Sequence, residues 1–174
     1  DPSGVQEAYD MIQEAFAYSE RYHTPVLFRP TTRVCHGYAS ITVKDAAEYQ
    51  FNSPEGFVKD SSKWVIFPKL SYQNHIRMES VFSDYPRNRI YPETDTVCKK
   101  GIATHGISFS YTMEALHGKA APRLLKVATP FPFPEQLAVE FLQGLDEVLC
   151  LEELDPVIEQ ELVYLCGKYH LPTR

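Results

Sequence analysis

The strongest constraint on the fold is an alternation of short apolar runs with helical patterns in the C-terminal part of the chain. Residues 102–104, 124–127 and 148–151 form three such runs. Each run is too short and too continuously apolar for an amphipathic helix, so each predicts a buried parallel strand. Strands that alternate with helices through right-handed crossovers predict a three-layer α/β domain with a mostly parallel sheet.

Signals at the helix ends support this prediction. Ser108 can cap a helix over 109–117, and Gly118 can end it in a left-handed turn. Pro134 suits the first position of a second helix, which should end before Gly144. After Asp155 and Pro156, a third helix is expected to present one apolar face made of Ile158, Leu162, Leu165 and Tyr169.

The N-terminal segment predicts one helix and one strand. Ser3 and Gln6 have the spacing of a capping box, and Pro25 should end the helix near His23. Its expected apolar stripe consists of Val5, Ala8, Ile12, Ala15, Phe16 and Ser19. A strand over 26–28 follows. Because an exposed stripe of this size promotes aggregation, the segment should pack on its own chain or on a second copy in a homodimer.

The pattern weakens in the middle of the chain. Residues 37–62 indicate an irregular connector or a short hairpin near 41–43, and residues 71–85 show partial helical spacing. We therefore predict three parts. They are the terminal helix and strand of one α/β domain (1–36), a linker (37–62) and a complete second α/β domain (63–174).

Composition restricts the function classes. The 17 Lys and Arg residues against 23 Asp and Glu residues give a net charge of −6, which argues against nucleic-acid binding. There is no apolar run near the ~20 residues that a membrane helix needs. Four scattered cysteines and six histidines show no metal-ligand spacing, which predicts a cytoplasmic chain without a metal site. The chain has no initiator Met, and we expect it to be part of a longer polypeptide.

The best polar constellation follows the strand predicted at 26–28. It contains Thr31, Thr32, Arg33 and His36. An Arg flanked by hydroxyls at a strand end could hold the carboxylate of a 2-oxo acid through two parallel hydrogen bonds. The alternative is that Arg33 pairs with an acidic residue across a domain interface.

Two adjacent carboxylates, Glu152 and Glu153, close the third predicted strand. Successive side chains on a strand point to opposite faces, so these two are not expected to share a proton as an acid–base pair. We expect a structural role, in which one of them accepts hydrogen bonds from backbone N–H groups of the next helix or pairs with an Arg.

The run from Gly106 to Ser110 nearly matches the nucleophile elbow of serine hydrolases, with Ser108 at the nucleophile position. Asp155 and His170 follow in the hydrolase chain order, but the motif ends in Ser where the tight turn requires Gly. A serine hydrolase is thus a remote alternative to helix capping by Ser108. Anion binding at the helix start is another.

Longer stretches resemble a known family. THGISFSYTMEAL, LLKVATPFPFP and VLCLEELDPVIEQEL resemble the second domain of the alpha subunit of indolepyruvate:ferredoxin oxidoreductases. These are members of the 2-oxoacid:ferredoxin oxidoreductase family in anaerobic bacteria and archaea. SERYHTPVLFRPTTRVCH resembles the end of the first domain of that subunit, with Cys35 where Ser is usual. The resemblance implies a piece of the pyrimidine-binding domain followed by a domain similar to the C-terminal domain of transketolase.

The resemblance also implies an activity for the intact enzyme. Such enzymes oxidatively decarboxylate arylpyruvates such as indolepyruvate to aryl-acetyl-coenzyme A and reduce ferredoxin, using thiamine diphosphate, magnesium and iron–sulfur clusters, with a beta subunit as partner. The family's GDG metal-binding motif and ferredoxin cysteines are absent from this sequence. We therefore expect an internal fragment without catalytic residues, structural and interface-forming, and inactive alone. A stand-alone interaction or scaffolding module is the alternative.

Overall fold

A computed structural model describes residues 1–49, 53, 56–81, 85–92, 98–120 and 122–174. Its elements in chain order are α1 (Val5–Tyr22), α2 (Thr32–Cys35), a 3₁₀ helix (Ala46–Glu48), α3 (Ser61–Trp64), α4 (Pro68–Val81), β1 (Arg89–Tyr91), β2 (Lys100–Thr104), α5 (Gly106–Ala115), β3 (Arg123–Lys126), α6 (Glu135–Leu142), β4 (Glu147–Leu151) and α7 (Val157–Tyr169).

The four strands form one sheet in the order β1-β3-β2-β4. β2 lies between β3 and β4 and is parallel to both, which confirms the three predicted strands and the α/β class. β1 is antiparallel to β3, with Ile90 opposite Leu125. β1 was not predicted from the sequence, because a strand of three residues that stops just before Pro92 has no clear hydrophobic periodicity.

One face of the sheet carries the main hydrophobic core. Ala103 of β2 and Leu125 of β3 are fully buried there. The helical residues packed on them are Ala138, Phe141 and Leu142 of α6 and Ile158, Leu162 and Leu165 of α7. The predicted face of α7 is thus correct for three of its four members. Tyr169 is partly exposed, and its hydroxyl donates to Glu135.

The opposite face of the sheet is covered by α1 and α5. Lys126, the last residue of β3, points to this face because its neighbour Leu125 points to the core. Its ammonium group contacts Glu7 of α1 and lies 4.5 Å from the ring centre of Phe109 of α5. Helices on both faces make three layers.

The start of α1 differs from the prediction. The helix begins at Val5 with Gly4 as its N-cap, one residue later than a box of Ser3 and Gln6 requires. Ser3 instead donates through its backbone N–H (2.7 Å) and hydroxyl (2.5 Å) to Glu7. The side chain of Gln6 turns outward and hydrogen-bonds the backbone of Thr42.

The predicted apolar stripe of α1 is only partly correct, since Val5, Ala8, Ala15 and Ser19 are half-buried. Ile12 and Phe16 are exposed, whereas Met11 is the buried apolar residue of the helix. The side of α1 that meets the rest of the chain is charged, since Glu7 pairs with Lys126 and Glu14 pairs with Arg87. The hydrophobic periodicity therefore marked a face that is only half-buried and missed the charged side of the helix.

Two further local predictions are wrong. Residues 26–28 form no strand, because no neighbouring strand in the described part of the chain pairs with them, and one turn of helix, α2, follows instead of a loop. Ser108 lies inside α5 and does not cap it, because the helix already begins at Gly106 after the N-cap His105. Gly118 does adopt the predicted left-handed conformation, with φ 71°.

The middle of the chain is mostly irregular, and no strand forms at 41–43. The partial helical pattern is confirmed as α4, which starts earlier than expected, at Pro68. Searched over the described residues, the chain has no helix that is long and apolar enough to cross a membrane. The division into 1–36, 37–62 and 63–174 stays a prediction.

Candidate functional site at the strand ends

The polar cluster of this chain lies where the parallel strands end. His105 follows β2, Ala128 lies just beyond β3, and Glu152 follows β4. Ligands of open α/β sheets bind at this edge, where neighbouring connections leave toward opposite faces. In this chain the place is taken by Asp1, whose nitrogen donates to the carbonyl oxygen of Ala128 at 2.8 Å.

His105 is nearly buried between two carboxylates. Its Nδ1 lies 3.1 Å from Asp1 Oδ2, and its Nε2 lies 3.8 Å from Glu152 Oε1. Burial lowers the pKa of His105 below its ordinary value, and this effect exceeds the opposing attraction of Glu152. The neutral ring has one N–H to donate, and Nδ1 is the nitrogen within hydrogen-bond distance of a carboxylate.

Arg29 completes the surroundings of Asp1. Its Nε donates to Asp1 Oδ1 at 3.1 Å and its Nη2 to Oδ2 at 2.7 Å, which is the two-bond geometry of an Arg–carboxylate pair. The carboxylate of Asp1 is thus held from two sides, by Arg29 and by His105. These contacts tie the first residue and residue 29 to the strand ends.

Glu152 and Glu153 contact different groups. The carboxylate of Glu152 accepts from the backbone N–H groups of Ile158 (2.7 Å) and Glu159 (3.0 Å). These N–H groups belong to the first turn of α7, where they lack partners within the helix. Glu153 instead lies 3.3 Å from Arg33 Nε.

Arg33 is the member of the polar constellation that is joined to a strand end. Besides Glu153, it donates from Nη1 to the Tyr111 hydroxyl at 3.3 Å and remains mostly exposed. Thr32 and His36 are exposed, and Thr31 is half-buried with its hydroxyl unpartnered. The structure therefore places Arg33 beside an acidic residue. This is the arrangement expected if Arg33 pairs with an acid and does not bind a substrate carboxylate.

Three residues of the cluster escaped the sequence analysis. His105 had a usable signal, because it is the first polar side chain after a predicted buried strand. Asp1 and Arg29 had none, since each reaches the strand ends from a distant, irregular segment.

Ser108 is not placed as a nucleophile. Among the described residues, no hydrogen bond joins its hydroxyl to a histidine or a carboxylate, and its carbonyl accepts from the Thr112 hydroxyl. His170 is the C-cap of α7. In the described ranges, no group of three or more His, Cys, Asp or Glu side chains is placed to hold a metal ion.

Comparison with known proteins decides which larger protein the chain resembles. No protein-family model matches it, and no solved structure matches it. Among curated proteins, indolepyruvate oxidoreductase subunit IorA of Pyrococcus abyssi is 34% identical over an alignment 177 residues long, which covers 93% of this chain. The IorA of Methanothermobacter thermautotrophicus is 32% identical over an alignment 180 residues long, which covers 98% of the chain.

Nearly the whole chain is similar to a part of IorA. The IorA of Archaeoglobus fulgidus, a more distant relative, is 28% identical over 91% of the chain. The chain spans only about a quarter of these relatives, 26% of the Pyrococcus abyssi protein and 28% of the Methanothermobacter thermautotrophicus protein. The relatives therefore extend well beyond the region that they share with this chain.

Proposed function

We propose that this chain is part of a larger oxidoreductase subunit that acts on arylpyruvates. The complete enzyme would decarboxylate indolepyruvate or a related 2-oxo acid oxidatively, form the aryl-acetyl-coenzyme A and reduce ferredoxin in the cytoplasm. The observation that carries this proposal is the similarity to IorA over 91–98% of the chain. These relatives are indolepyruvate oxidoreductase subunits, and we take the proposed substrate from them.

Within that subunit we assign this chain a structural, interface-forming role. The edge of the sheet where a ligand would bind is filled by Asp1, Arg29 and His105 from the chain itself. The best candidate for a substrate contact, Arg33, already faces Glu153 and Tyr111. Both sets of contacts link residues of the predicted first domain to residues of the predicted second domain, as an interface-forming role requires.

We assign the cofactors of the proposed enzyme to residues outside this chain. Magnesium in a diphosphate site needs oxygen ligands, and iron–sulfur clusters need cysteines. In the parts of the chain that the structure describes, no cluster of such ligands exists. In this proposal, thiamine diphosphate, magnesium and iron–sulfur clusters are bound by other parts of the enzyme, and the beta subunit and ferredoxin are its partners.

Intact mass and peptide mapping of the native protein test the proposal first. The expected result is a polypeptide several times longer than 174 residues that contains thiamine diphosphate and iron. Arylpyruvate-dependent reduction of ferredoxin should occur with this protein and its beta subunit, and the 174-residue chain alone should show none. A native protein of about this length without cofactors would support the scaffolding module instead.

A serine-reactive probe tests the alternative that the chain is a serine hydrolase. A fluorophosphonate should leave Ser108 unlabelled, because no base contacts its hydroxyl among the described residues. Stoichiometric labelling of Ser108 would instead support the serine hydrolase alternative.

A further inference from the structure

The end of the predicted linker and the beginning of the predicted second domain, residues 57–76, expose large apolar side chains. We call this set the arm surface. Its members, all between 45% and 73% exposed, are Phe57, Val58, Trp64, Val65, Ile66, Phe67, Tyr72 and Ile76. The rings of Phe57 and Trp64 lie 5.6 Å apart, so the beginning of the arm surface is already one cluster.

The opposite side of α4 is directed at the rest of the chain. Leu70, Asn74 and Met78, which are spaced by four residues, are half-buried, whereas Tyr72 and Ile76 are exposed. Arg77 donates to the carbonyl oxygen of Tyr22 at 2.6 Å, at the end of α1. The helix thus has one side against its own chain and an exposed side, on which Tyr72 and Ile76 lie beside the ion pair of His75 and Glu79.

The size of the arm surface exceeds what a free monomer normally exposes. Eight partly exposed side chains of this kind present on the order of 1,000 Å². The largest apolar patch of a typical soluble monomer is roughly 300–600 Å², whereas each partner in a stable interface buries about 800 Å². The summed exposed area of these eight side chains is therefore comparable to the area that one partner buries in a stable interface.

We propose that the arm surface is buried against the remainder of the longer subunit, in the same polypeptide. This inference rests on the proposed function, because it requires that the chain belong to a longer protein. The curated relatives supply the occupant, since the chain matches only 26–28% of their length and leaves most of each protein to cover it.

Hydroxyl-radical footprinting of the native protein tests the proposal, with labelling read at Trp64, Phe67 and Tyr72. In the longer protein these three should label at least about fivefold more slowly than in the 174-residue chain. Equal labelling in both would overturn the proposal. Protection that appears in the short chain as its concentration rises would identify a second copy as the occupant and would also overturn it. Intact mass decides separately whether a longer protein exists.

A pair of double variants supplies the control. Phe67→Ser/Tyr72→Ser removes two members of the arm surface, and Val163→Ser/Tyr164→Ser removes two comparably exposed side chains of α7. In the 174-residue chain, neither should shift the denaturant midpoint. In the longer protein, the arm variant should speed proteolysis within residues 57–76 by about tenfold or more, and the α7 variant should not. An equal effect of both variants, or of neither, would contradict the proposal.

Discussion

The ammonium group of Lys126 donates a 2.5 Å hydrogen bond to the carboxylate of Glu7, and the two side chains are only 8% and 11% exposed. This pair joins α1 to β3, on the face of the sheet opposite the main core. Removing one member of a nearly buried ion pair leaves an uncompensated charge. We therefore expect Glu7→Gln to lower the free energy of unfolding by about 3 kcal/mol, measured by urea denaturation.

Two further variants control this prediction. The pair of Lys100 and Glu147 lies on the surface, so Lys100→Gln should leave the free energy of unfolding nearly unchanged. Glu7→Gln combined with Lys126→Met should cost less than the two single substitutions together, because no unpaired charge remains. Strict additivity would show that the pair does not act as a unit.

The burial of His105 leads us to expect that the stability of the chain depends on pH. Burial lowers its pKa in the folded chain, so the unfolded chain binds more protons between that value and about 6.5. Stability should therefore decrease as the pH falls from 7 through the lowered pKa of His105. In the 174-residue chain, burial also lowers the pKa of the Asp1 amino group, to about 6, and this group contributes in the same direction.

The substitution His105→Asn separates the two contributions. It should reduce the loss of stability between pH 7.5 and pH 5, followed by urea denaturation at several pH values. His117→Asn, at an exposed histidine, is the control and should retain the full slope of the parent chain. A slope that His105→Asn leaves unchanged would assign the pH dependence to other groups.

Substitution of glycine by alanine should have opposite effects on stability at two positions of the chain. A Cβ at Gly101 of β2 would lie 2.6 Å from Leu145 Cδ1 and 2.7 Å from Phe141 Cζ, inside the core. Gly101→Ala should destabilise the chain by about 1–3 kcal/mol through overpacking. Gly167 of α7 has open space around it, so Gly167→Ala should stabilise by about 0.5–1 kcal/mol. Thermal or urea denaturation compares the two, and equal effects would contradict the packing argument.

Leu154 has a strained backbone conformation. It lies between β4 and α7 with φ 70°, and its side chain is fully exposed, so no packing offsets the strain. Leu154→Gly should stabilise the chain by about 0.5–1 kcal/mol, the relief of strain exceeding the added entropy of the unfolded chain. Leu154→Ala keeps a Cβ and should change little. A gain from Ala equal to the gain from Gly would place its origin in the side chain.

Substitution of Arg33 in the longer enzyme distinguishes a structural role of this residue from a substrate-binding role. The structure places its side chain beside Glu153 and Tyr111, mostly exposed. We expect Arg33→Ala to leave KM for an arylpyruvate nearly unchanged in a ferredoxin-reduction assay, with Arg33→Lys as the conservative control. A rise in KM of tenfold or more for Ala, and a similar rise for Lys, would restore the bidentate substrate contact.

Much of the C-terminal half was predictable from sequence. The runs at 102–104, 124–127 and 148–151 became β2, β3 and β4, because a buried strand needs a continuous apolar run and the signal is local. The apolar face of α7 was readable for the same reason. The predicted strand at 26–28 is wrong, because a strand needs a hydrogen-bonded neighbour and local pattern cannot reveal whether one is present.

The candidate site was only partly readable. Adjacent carboxylates at the end of a strand were recognisable, and the capping of α7 by Glu152 follows from where the next helix begins. The buried position of His105 depends on three segments meeting at one edge of the sheet. The stripe on α1 was only partly correct, because hydrophobic periodicity cannot detect a helix face that is buried through ion pairs.

The sequence by itself determined the strands of the parallel sheet, the helices that cover its main core and the family resemblance, since these depend on local burial patterns and on continuous stretches of residues. Only the tertiary structure decided that Asp1 meets His105 across 104 positions of sequence and that Lys126 meets Glu7 across 119. Such contacts exist because folding brings charged groups into a poorly hydrated space, where each group needs a partner. No local pattern of residues names that partner in advance.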